Sequence, residues 1–165
     1  MRDPILRPAT AADIDAIAEL WDRGYRDGHT GHIPEGLLAA RTLTSFRERV
    51  TARITDPARS STTVADVDGV VAGFTMVVGD EVEQVFVDRA FRGTDVATRL
   101  LDHAEQQVRA AGHDVPWLSV VVGNTRARRF YEKCGWVDEG DLPYEVTAGG
   151  IDFVSPCRRY TKRSR

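Results

Sequence analysis

The sequence predicts an α/β (α+β) fold in which helices flank a central, twisted sheet that is mixed and mostly antiparallel. Three consecutive runs are rich in β-branched residues and are separated by two-residue turns, which is typical of an antiparallel meander: Ser61–Val67, Val70–Val78 and Glu81–Val87. The dipeptide Asp68-Gly69 between the first two runs is the strongest short hairpin signal. Further along, residues 82–122 follow a strand, helix, strand pattern, which favours one parallel pair in the same sheet.

The segment before the meander predicts a short strand and two helices. Ile5–Arg7 is the strand, and Thr10 with Asp13 forms a capping signal for the first helix. Apolar residues then recur at helical spacing until about Asp27. They are Ile14, Ile17, Ala18, Trp21 and Tyr25. Glycines and a proline predict a loop over residues 28–34. The second helix places Leu43, Phe46, Val50 and Ile54 on one face, and Asp56-Pro57 closes it.

The segment after the meander predicts two more helices, a buried strand and a C-terminal hairpin. The first of these helices buries Val96, Leu100, Leu101, Ala104 and Val108 and ends at Gly112. Pro116–Val122 is a continuous apolar run, as a central strand requires. The second helix follows Asn124 and ends at Gly135, and Trp136–Asp138 then pairs with about 151–160.

Composition limits the classes of function. We expect residues 1–165 to form a single domain, since 165 residues is an ordinary domain size. The net charge of −3 favours no nucleic-acid partner, and the basic run 158–165 is interpreted as a solvated strand end and tail. No apolar run has membrane-spanning length and no signal peptide is evident, so a cytoplasmic location is expected. Cys134 and Cys157 have no metal-ligand spacing, and Cys134 reads as a core residue.

A basic, glycine-containing turn joins the strand 82–87 to the helix that begins at Val96. Unpaired N–H groups and the helix dipole make such a helix start suited to a pyrophosphate. Arg92 and Gly93 stand at the turn. An Arg-Gly turn alone is as compatible with a purely structural role as with phosphate binding.

A second motif follows about thirty residues later, and together the two motifs resemble the GNAT superfamily of acyl-CoA-dependent N-acyltransferases. That family's first motif ends a strand with an apolar residue, Val and Pro or Asp, and continues Arg/Gln-x-x-Gly-x-Gly/Ala. Here it reads Phe86-Val87-Asp88 and then Arg92-Gly93-Thr94-Asp95-Val96-Ala97. The family's second motif is Asn-x-x-Ala-x-x-Phe-Tyr-x-x-x-Gly-Phe/Trp. Its positions are filled in register by Asn124, Ala127, Phe130, Tyr131, Gly135 and Trp136. The resemblance implies a GNAT-like acyltransferase fold.

The resemblance implies an N-acetyltransferase that uses acetyl-CoA as co-substrate and passes the acetyl group directly to a primary amine in a ternary complex. The loop Arg92–Ala97 would hold the CoA phosphates through Arg92, Gly93, Thr94, Asp95, Val96 and Ala97. By the same resemblance, the pantetheine arm would pair with the backbone of Phe86 and Val87. Asn124 would meet that arm, and it also suits a plain N-cap for the helix that begins at Thr125.

Asp95 departs from the family motif, because it stands where the family has the loop's middle glycine. One interpretation is that its side chain points away from the ligand and caps the helix that starts at Val96. The other is that its Cβ and negative charge weaken CoA binding. The fit of Arg92, Gly93 and Ala97 to the motif favours the first.

The resemblance assigns Tyr131 as the acid that assists the thiolate, against the alternative of a core tyrosine. For the base, Glu81 and Glu83 are candidates because alternate residues of a strand share a face, and mutual repulsion would raise the pKa of one of them. Glu83 is preferred and Glu81 is second, and the alternative is a solvent-facing strand start. In family members a carboxylate on this strand faces the cleft or acts through water.

The segment 24–38 is expected to belong to the acceptor side, because family members line the acceptor pocket with the region between their first two helices. Asp27, His29 and His32 are the substrate-binding candidates, and a histidine could act as a base. The alternative is a loop of exposed polar residues. The clustered histidines and carboxylates match no standard metal spacing, so no metal is predicted.

Two other functions are compatible with parts of the pattern. A non-catalytic acyl-CoA-binding sensor would use the loop Arg92–Ala97 to bind acyl-CoA without transferring the acyl group. Binding of acetyl-CoA without release of its thiol would identify such a sensor. A nucleotide-binding α/β domain is disfavoured because the turn has neither a Gly-x-Gly-x-x-Gly order nor a Gly-Lys-Ser/Thr ending. The expected partner is a small-molecule or peptide amine, with no membrane partner. Because dimers are common in this family, a homodimer is compatible with the sequence.

Overall fold

A computed structural model describes residues 2–164 and confirms the fold class: a seven-stranded mixed sheet flanked by helices. The strand order is β1-β2-β3-β4-β5-β7-β6. The strands are β1 Ile5–Pro8, β2 Ser61–Val67, β3 Val70–Val78, β4 Glu81–Val87, β5 Trp117–Val121, β6 Val137–Ala148 and β7 Ile151–Thr161. All neighbours are antiparallel except β4 and β5, which form the predicted parallel pair.

The meander β2–β4 has the predicted bounds. Asp68 and Gly69 both have positive φ values, of 53° and 84°, as the tight turns of two-residue hairpins require. The side chain of Asp66 also accepts a hydrogen bond from the N–H group of Gly69 at 2.7 Å. The dipeptide therefore fixes the register of the first hairpin.

Helices cover both faces of the sheet. They are α1 Ile14–His29, α2 Glu35–Ala40, α3 Leu43–Thr55, α4 Val96–Ala110 and α5 Thr125–Lys133. On one face α1 and α3 bury Trp21 and Phe46 against Phe74 of β3. On the other face α4 buries Leu101 and Ala104 against the middle of the sheet. None of the helices within residues 2–164 is long and apolar enough to cross a membrane.

Strand β4 contains a β-bulge and borders a gap in the sheet. Gln84 pairs with Met76 and Val82 pairs with Val77, so Glu83 is the extra residue of a β-bulge. On its other side β4 pairs with β5 only at Glu81 and Trp117. The two parallel strands therefore part immediately after their first contact, and they leave a gap in the middle of the sheet.

Three predicted boundaries are corrected by the structure. Helix α1 continues through Gly28 and His29, which the sequence placed in a loop, and the short helix α2 was not predicted. Strand β6 runs for twelve residues to Ala148, where the sequence predicted only residues 136–138. Cross-strand pairing with β7 along its length holds this strand, although Gly140 and Pro143 are poor strand formers.

Candidate active site

The gap between β4 and β5 opens into a cleft of about 530 Å³. Strands β4 and β5 line its middle, and α5 lines one side. The end of α1, residues of α3 and the β6–β7 hairpin line the rest. Bulges are common next to active sites, and the bulge at Glu83 lies beside this gap.

The loop that leads from β4 to α4 presents unpaired backbone donors. Within the described residues, no hydrogen bond is formed by the N–H groups of Gly93, Asp95, Ala97 and Thr98. Gly93 has a φ of 78°, and no atom lies within 4 Å of the position that a Cβ would occupy. Four free donors at the start of a fifteen-residue helix suit an anion such as a pyrophosphate.

The capping role predicted for Asp95 is wrong in its detail. Asp95 occupies the N-cap position of α4, but its side chain makes no capping hydrogen bond and is mostly exposed. Thr94 caps instead, because its Oγ1 accepts from the N–H of Val96 at 3.4 Å and donates to the carbonyl of Phe91 at 2.6 Å. The carboxylate of Asp95 points along the helix, where an oxygen lies 4.0 Å from Arg99.

Asp27 lies beside this loop and does not line the cleft, contrary to its predicted place on the acceptor side. One carboxylate oxygen is 2.7 Å from Nη2 of Arg89, and the other is 3.1 Å from Nη2 of Arg92. The hydrogen bond from Arg89 is the main reason that the pKa of Asp27 is lowered. The guanidinium of Arg92, which is predicted to bind phosphate, is therefore ion-paired with Asp27 in this structure.

Asn124 and Tyr131 both lie in the cleft wall. The side chain of Asn124 accepts a hydrogen bond from the N–H of Ala127 at 3.3 Å, which confirms the predicted N-cap of α5. Tyr131 is 8% exposed, and burial raises its pKa. No hydrogen bond to its hydroxyl is formed among residues 2–164, so the hydroxyl is free to meet a ligand.

The two predicted base candidates do not simply alternate on one face, because Glu83 is the bulge residue. Both oxygens of Glu83 accept from Nη2 of Arg53, at 2.6 and 2.8 Å. Glu81 instead accepts from the hydroxyl of Tyr144 at 2.9 Å. The pKa of Glu81 is raised to about 7, mainly by burial and further by the nearby charge of Glu83, although the hydrogen bond from Tyr144 opposes the rise.

His29 and His32 occupy different environments. The ring of His29 lines the cleft and stacks on Tyr25 with 4.0 Å between centroids, and its Nδ1 lies 2.9 Å from the carbonyl oxygen of Tyr25. Burial lowers the pKa of His29 to about 4, so the ring is neutral at physiological pH. The ring of His32 packs directly on Gly123 and leaves no space for a Cβ there. His32 does not line the cleft.

Several cleft residues were missed by the sequence analysis. Tyr144 belongs to the long β6, and the alternation of Leu142, Tyr144 and Val146 was the signal that could have found it. Arg41 and Arg49 also line the cleft. Arginines near or within an amphipathic helix ordinarily indicate a solvated face, so the sequence holds no signal for their burial. Within residues 2–164, no group of three or more His, Cys, Asp or Glu side chains is placed to hold a metal ion.

Cys157 also lines the cleft, and Cys134 is half-buried. Burial is the largest cause that raises the pKa of each thiol. A buried thiol with a raised pKa is a poor nucleophile because little thiolate is present near neutral pH. The geometry therefore offers no activated cysteine among the described residues.

Comparison with known proteins gives a consistent result. A sequence model of the acetyltransferase (GNAT) family matches residues 15–136. A comparison with curated proteins finds no match.

Similar solved structures span nearly the whole chain. The GCN5-related N-acetyltransferase from Rhodopseudomonas palustris has a TM-score of 0.79 and 22% identity, over 99% of this chain and 98% of that one. The PaiA N-acetyltransferase from Thermoplasma acidophilum, in complex with coenzyme A, has a TM-score of 0.73 and 16% identity, over 99% and 100%. YncA from Salmonella typhimurium, with acetyl-CoA, has a TM-score of 0.70 and 19% identity, over 99% and 96%. At these identities the likeness establishes the shared fold.

Proposed function

The chain belongs to the acetyltransferase (GNAT) family, and from that premise we propose that it transfers the acetyl group of acetyl-CoA to a primary amine of a small molecule or protein. The transfer is direct and takes place in a ternary complex. Among the described residues the thiols have raised pKa values, which disfavours an acyl-enzyme on cysteine.

The observation that carries this proposal is the position of the gap between β4 and β5 relative to the start of α4. The unpaired edge of β4 beyond Glu81 offers backbone groups to an extended, amide-containing chain such as pantetheine. At the end of the same strand, four free N–H groups offer a site for phosphates. A ligand with an amide-bearing arm and a pyrophosphate fits both features at once.

Five of the residues predicted for the co-substrate have a proposed part. Phe86 supplies backbone to the arm, while its ring packs 5.7 Å from that of Phe74 and stays in the core. The side chain of Val87 packs in the core beneath α4, which leaves only its backbone for binding. Gly93 and Asp95 contribute N–H groups, and Arg92 contributes its guanidinium once Asp27 releases it.

We place Glu81 before Glu83 as the base. The oxygens of Glu83 are engaged by Arg53, whereas Glu81 has a pKa of about 7 and is therefore half ionised near neutral pH. A base with a pKa near the working pH is the most effective one. Glu81 does not itself line the cleft, so a water beside Tyr144 carries the proton from the ammonium group to it.

The bond changes balance without a further reactant. After the ammonium group has lost one proton through the water to Glu81, the amine nitrogen forms a bond to the thioester carbonyl carbon. The carbon–sulfur bond breaks, sulfur leaves with the electron pair, and the second proton that the nitrogen loses ends on the thiolate, so the products are the amide and the thiol of CoA. The hydroxyl of Tyr131 donates a hydrogen bond to that sulfur. Because burial raises the pKa of Tyr131, it stabilises the thiolate by hydrogen bonding more than by complete proton transfer.

The test measures binding and chemistry separately. Calorimetry with acetyl-CoA and with dephospho and desulfo analogues reports binding, and thiol release with a broad panel of primary amines reports transfer. We expect binding that weakens when phosphate is removed, and thiol release that depends on an amine and falls in Glu81→Gln. Binding without release across the panel would favour a non-catalytic acyl-CoA sensor, and no binding would overturn the proposal.

A further inference from the structure

The acceptor end of the cleft is lined by an unusual number of arginines. Arg41, Arg49, Arg53 and Arg59 line it, against the two glutamates Glu83 and Glu145. The protein as a whole has a net charge of −3, so this concentration of positive charge is local. The loop residue Arg92 does not line the cleft, and the four arginines are therefore separate from the phosphate loop.

Arg41 is a buried cation without a carboxylate partner. It is 8% exposed, and its Nε is buried without a hydrogen-bond partner among the described residues. No carboxylate oxygen of residues 2–164 lies within 4.0 Å of it, although Arg26 donates to its main-chain carbonyl at 2.7 Å. A buried charge is costly unless an opposite charge accompanies it.

Arg49 is a second cleft arginine without a carboxylate partner among the described residues, and it lies near Arg41. Its guanidinium lies 4.3 Å from the centroid of the Trp21 ring, and it forms no ion pair within the described residues. Burial, and then the neighbouring charge of Arg41, lower its pKa to about 10, which leaves it protonated at neutral pH. The two guanidinium groups repel each other, and the nearby carboxylate whose charge acts on Arg49, that of Glu83, is already ion-paired with Arg53.

The other charged groups nearby are already used. Glu83 is engaged by Arg53, and Glu81 accepts from Tyr144. Glu145 and Arg59 are exposed at the rim, and burial keeps His29 neutral. Arg53 is ion-paired and also borders a smaller cavity near Ser60, which leaves Arg41 and Arg49 as the arginines of the cleft interior without a carboxylate partner among the described residues. An oxyanion of a ligand is the missing partner for this pair.

The acceptor end is also enclosed. Helix α2 packs on the β6–β7 hairpin, since the ring of Phe153 lies 3.0 Å from where a Cβ on Gly36 would be. Ala40 likewise approaches Gly149, with 3.7 Å to the position of its added Cβ. This contact closes one side of the cleft and favours a compact acceptor over a folded protein.

We propose that the acceptor is a small primary amine that carries an oxyanion, of which the carboxylate of a free amino acid is the simplest case, and that Arg41 and Arg49 bind that oxyanion. The inference rests on the proposed acetyl transfer in the same cleft. Guanidinium groups bind carboxylates and phosphorus oxyanions through paired hydrogen bonds, so both kinds of anion match this chemistry. The rest of the acceptor reaches along the cleft toward Glu81 and the gap in the sheet.

The test compares each of a panel of L-amino acids with its own amide, at saturating acetyl-CoA. The amide retains the primary amine and the side chain and replaces the carboxylate with a neutral group, which also lowers the pKa of the amine and so works against the expected preference for the acid. We expect at least one acid to exceed its amide by tenfold or more in kcat/KM. The 1-aminoalkylphosphonate of the preferred side chain then distinguishes a carboxylate from a phosphorus oxyanion, and rapid acetylation of either supports the proposal.

Variants identify the binding residues. Arg41→Gln and Arg49→Gln should raise KM for the preferred acid by tenfold or more, and the ratio of kcat/KM for the acid to that for its amide should fall by tenfold or more. Arg47→Gln is the matched control. Arg47 lies in α3, as Arg49 does, but its side chain is exposed and forms an ion pair with Asp15. Where a variant fails to fold, the same question can be tested on the unmodified protein. The carboxylic acid that has the side chain of the preferred amino acid but lacks its amine should inhibit the reaction competitively with respect to the amine.

The outcomes that overturn the proposal are distinct from failure of the proposed function. If uncharged amines or polyamines are acetylated faster than every acid, the protein is an acetyltransferase and the inference about the anion is wrong. The same follows if both arginine variants keep the preference for the acid. If no amine of any charge releases thiol above background, the proposed function fails first, and this inference falls with it.

Discussion

Replacement of Tyr144 by phenylalanine tests whether Glu81 is the base. The hydroxyl of Tyr144 donates to Oε1 of Glu81 at 2.9 Å, and this hydrogen bond stabilises the ionised carboxylate. Burial raises the pKa of Glu81 to about 7 despite that bond. When the donor is removed, the ionised form loses its partner, so the pKa of Glu81 should rise further.

The size of the shift follows from the strength of the bond. A hydrogen bond to a charged acceptor contributes about 1.5 kcal/mol at the lower end of its range, and one pKa unit corresponds to about 1.4 kcal/mol. The acidic limb of the rate profile should therefore move up by about one unit in Tyr144→Phe. Glu81 acts when deprotonated, so activity near pH 7 should fall about fivefold, and the difference should disappear above about pH 9.

The assay is thiol release at saturating acetyl-CoA, with kcat/KM for one amine measured across the pH range in each variant. The pKa of the amine itself is the same in every profile, so the difference between profiles isolates the protein group. Tyr160→Phe is the control, because that hydroxyl contacts Arg128 and Glu132 instead. An acidic limb that stays in place in Tyr144→Phe, or that survives in Glu81→Gln, would refute the assignment.

Three further predictions concern the thiolate, the phosphate loop and stability. Tyr131→Phe should lower kcat about ten- to a hundredfold with little change in acetyl-CoA affinity, and an unchanged kcat would contradict its role. Asp27→Asn should free Arg92 and tighten acetyl-CoA binding up to about fivefold by calorimetry, whereas weaker binding would show that Asp27 helps to orient the loop. Asp13→Ala should lower the free energy of unfolding by about 1–3 kcal/mol in urea titrations, because Asp13 pairs with Arg7 at 2.8 Å. The pKa of Asp13 is lowered in the folded state, so this loss should be full above the unfolded pKa and should shrink as pH falls through the folded one. A deficit of the same size in acid would exclude the ion pair as its cause.

Local chemistry explains why much of the fold could be predicted. The Asp68-Gly69 turn needs no tertiary contact to specify a hairpin, and β2, β3 and β4 have the predicted bounds. The N-cap of Asn124 and the positive φ of 88° at Gly135 fix the two ends of α5 in the same way. The ends of these elements are set by residues that are only a few positions apart in the sequence.

Elements that depend on partners distant in sequence were predicted less well. Strand β6 contains Gly140 and Pro143, and only its pairing with β7 makes it a long strand. Helix α1 continues through Gly28, where an added Cβ would lie 2.6 Å from the side chain of Asn124, so close packing with α5 explains a glycine that looked like a helix end. In both places a tertiary contact overrides a weak local preference.

The sequence by itself determined the family, the loop that is predicted to bind phosphate, and the positions of Asn124 and Tyr131 at the start of and within helix α5, because motifs record short-range geometry that each chain segment carries with it. Only the tertiary structure decided the ionisation of the site. Glu81 and Glu83 are alike in sequence, yet burial beside Tyr144 raises the pKa of Glu81, whereas Glu83 is ion-paired with Arg53. The tertiary structure likewise made Arg41 and Arg49 a candidate anion site. Whether a buried side chain is stable in its charged form depends on how completely water is excluded from it and on which groups pack against it.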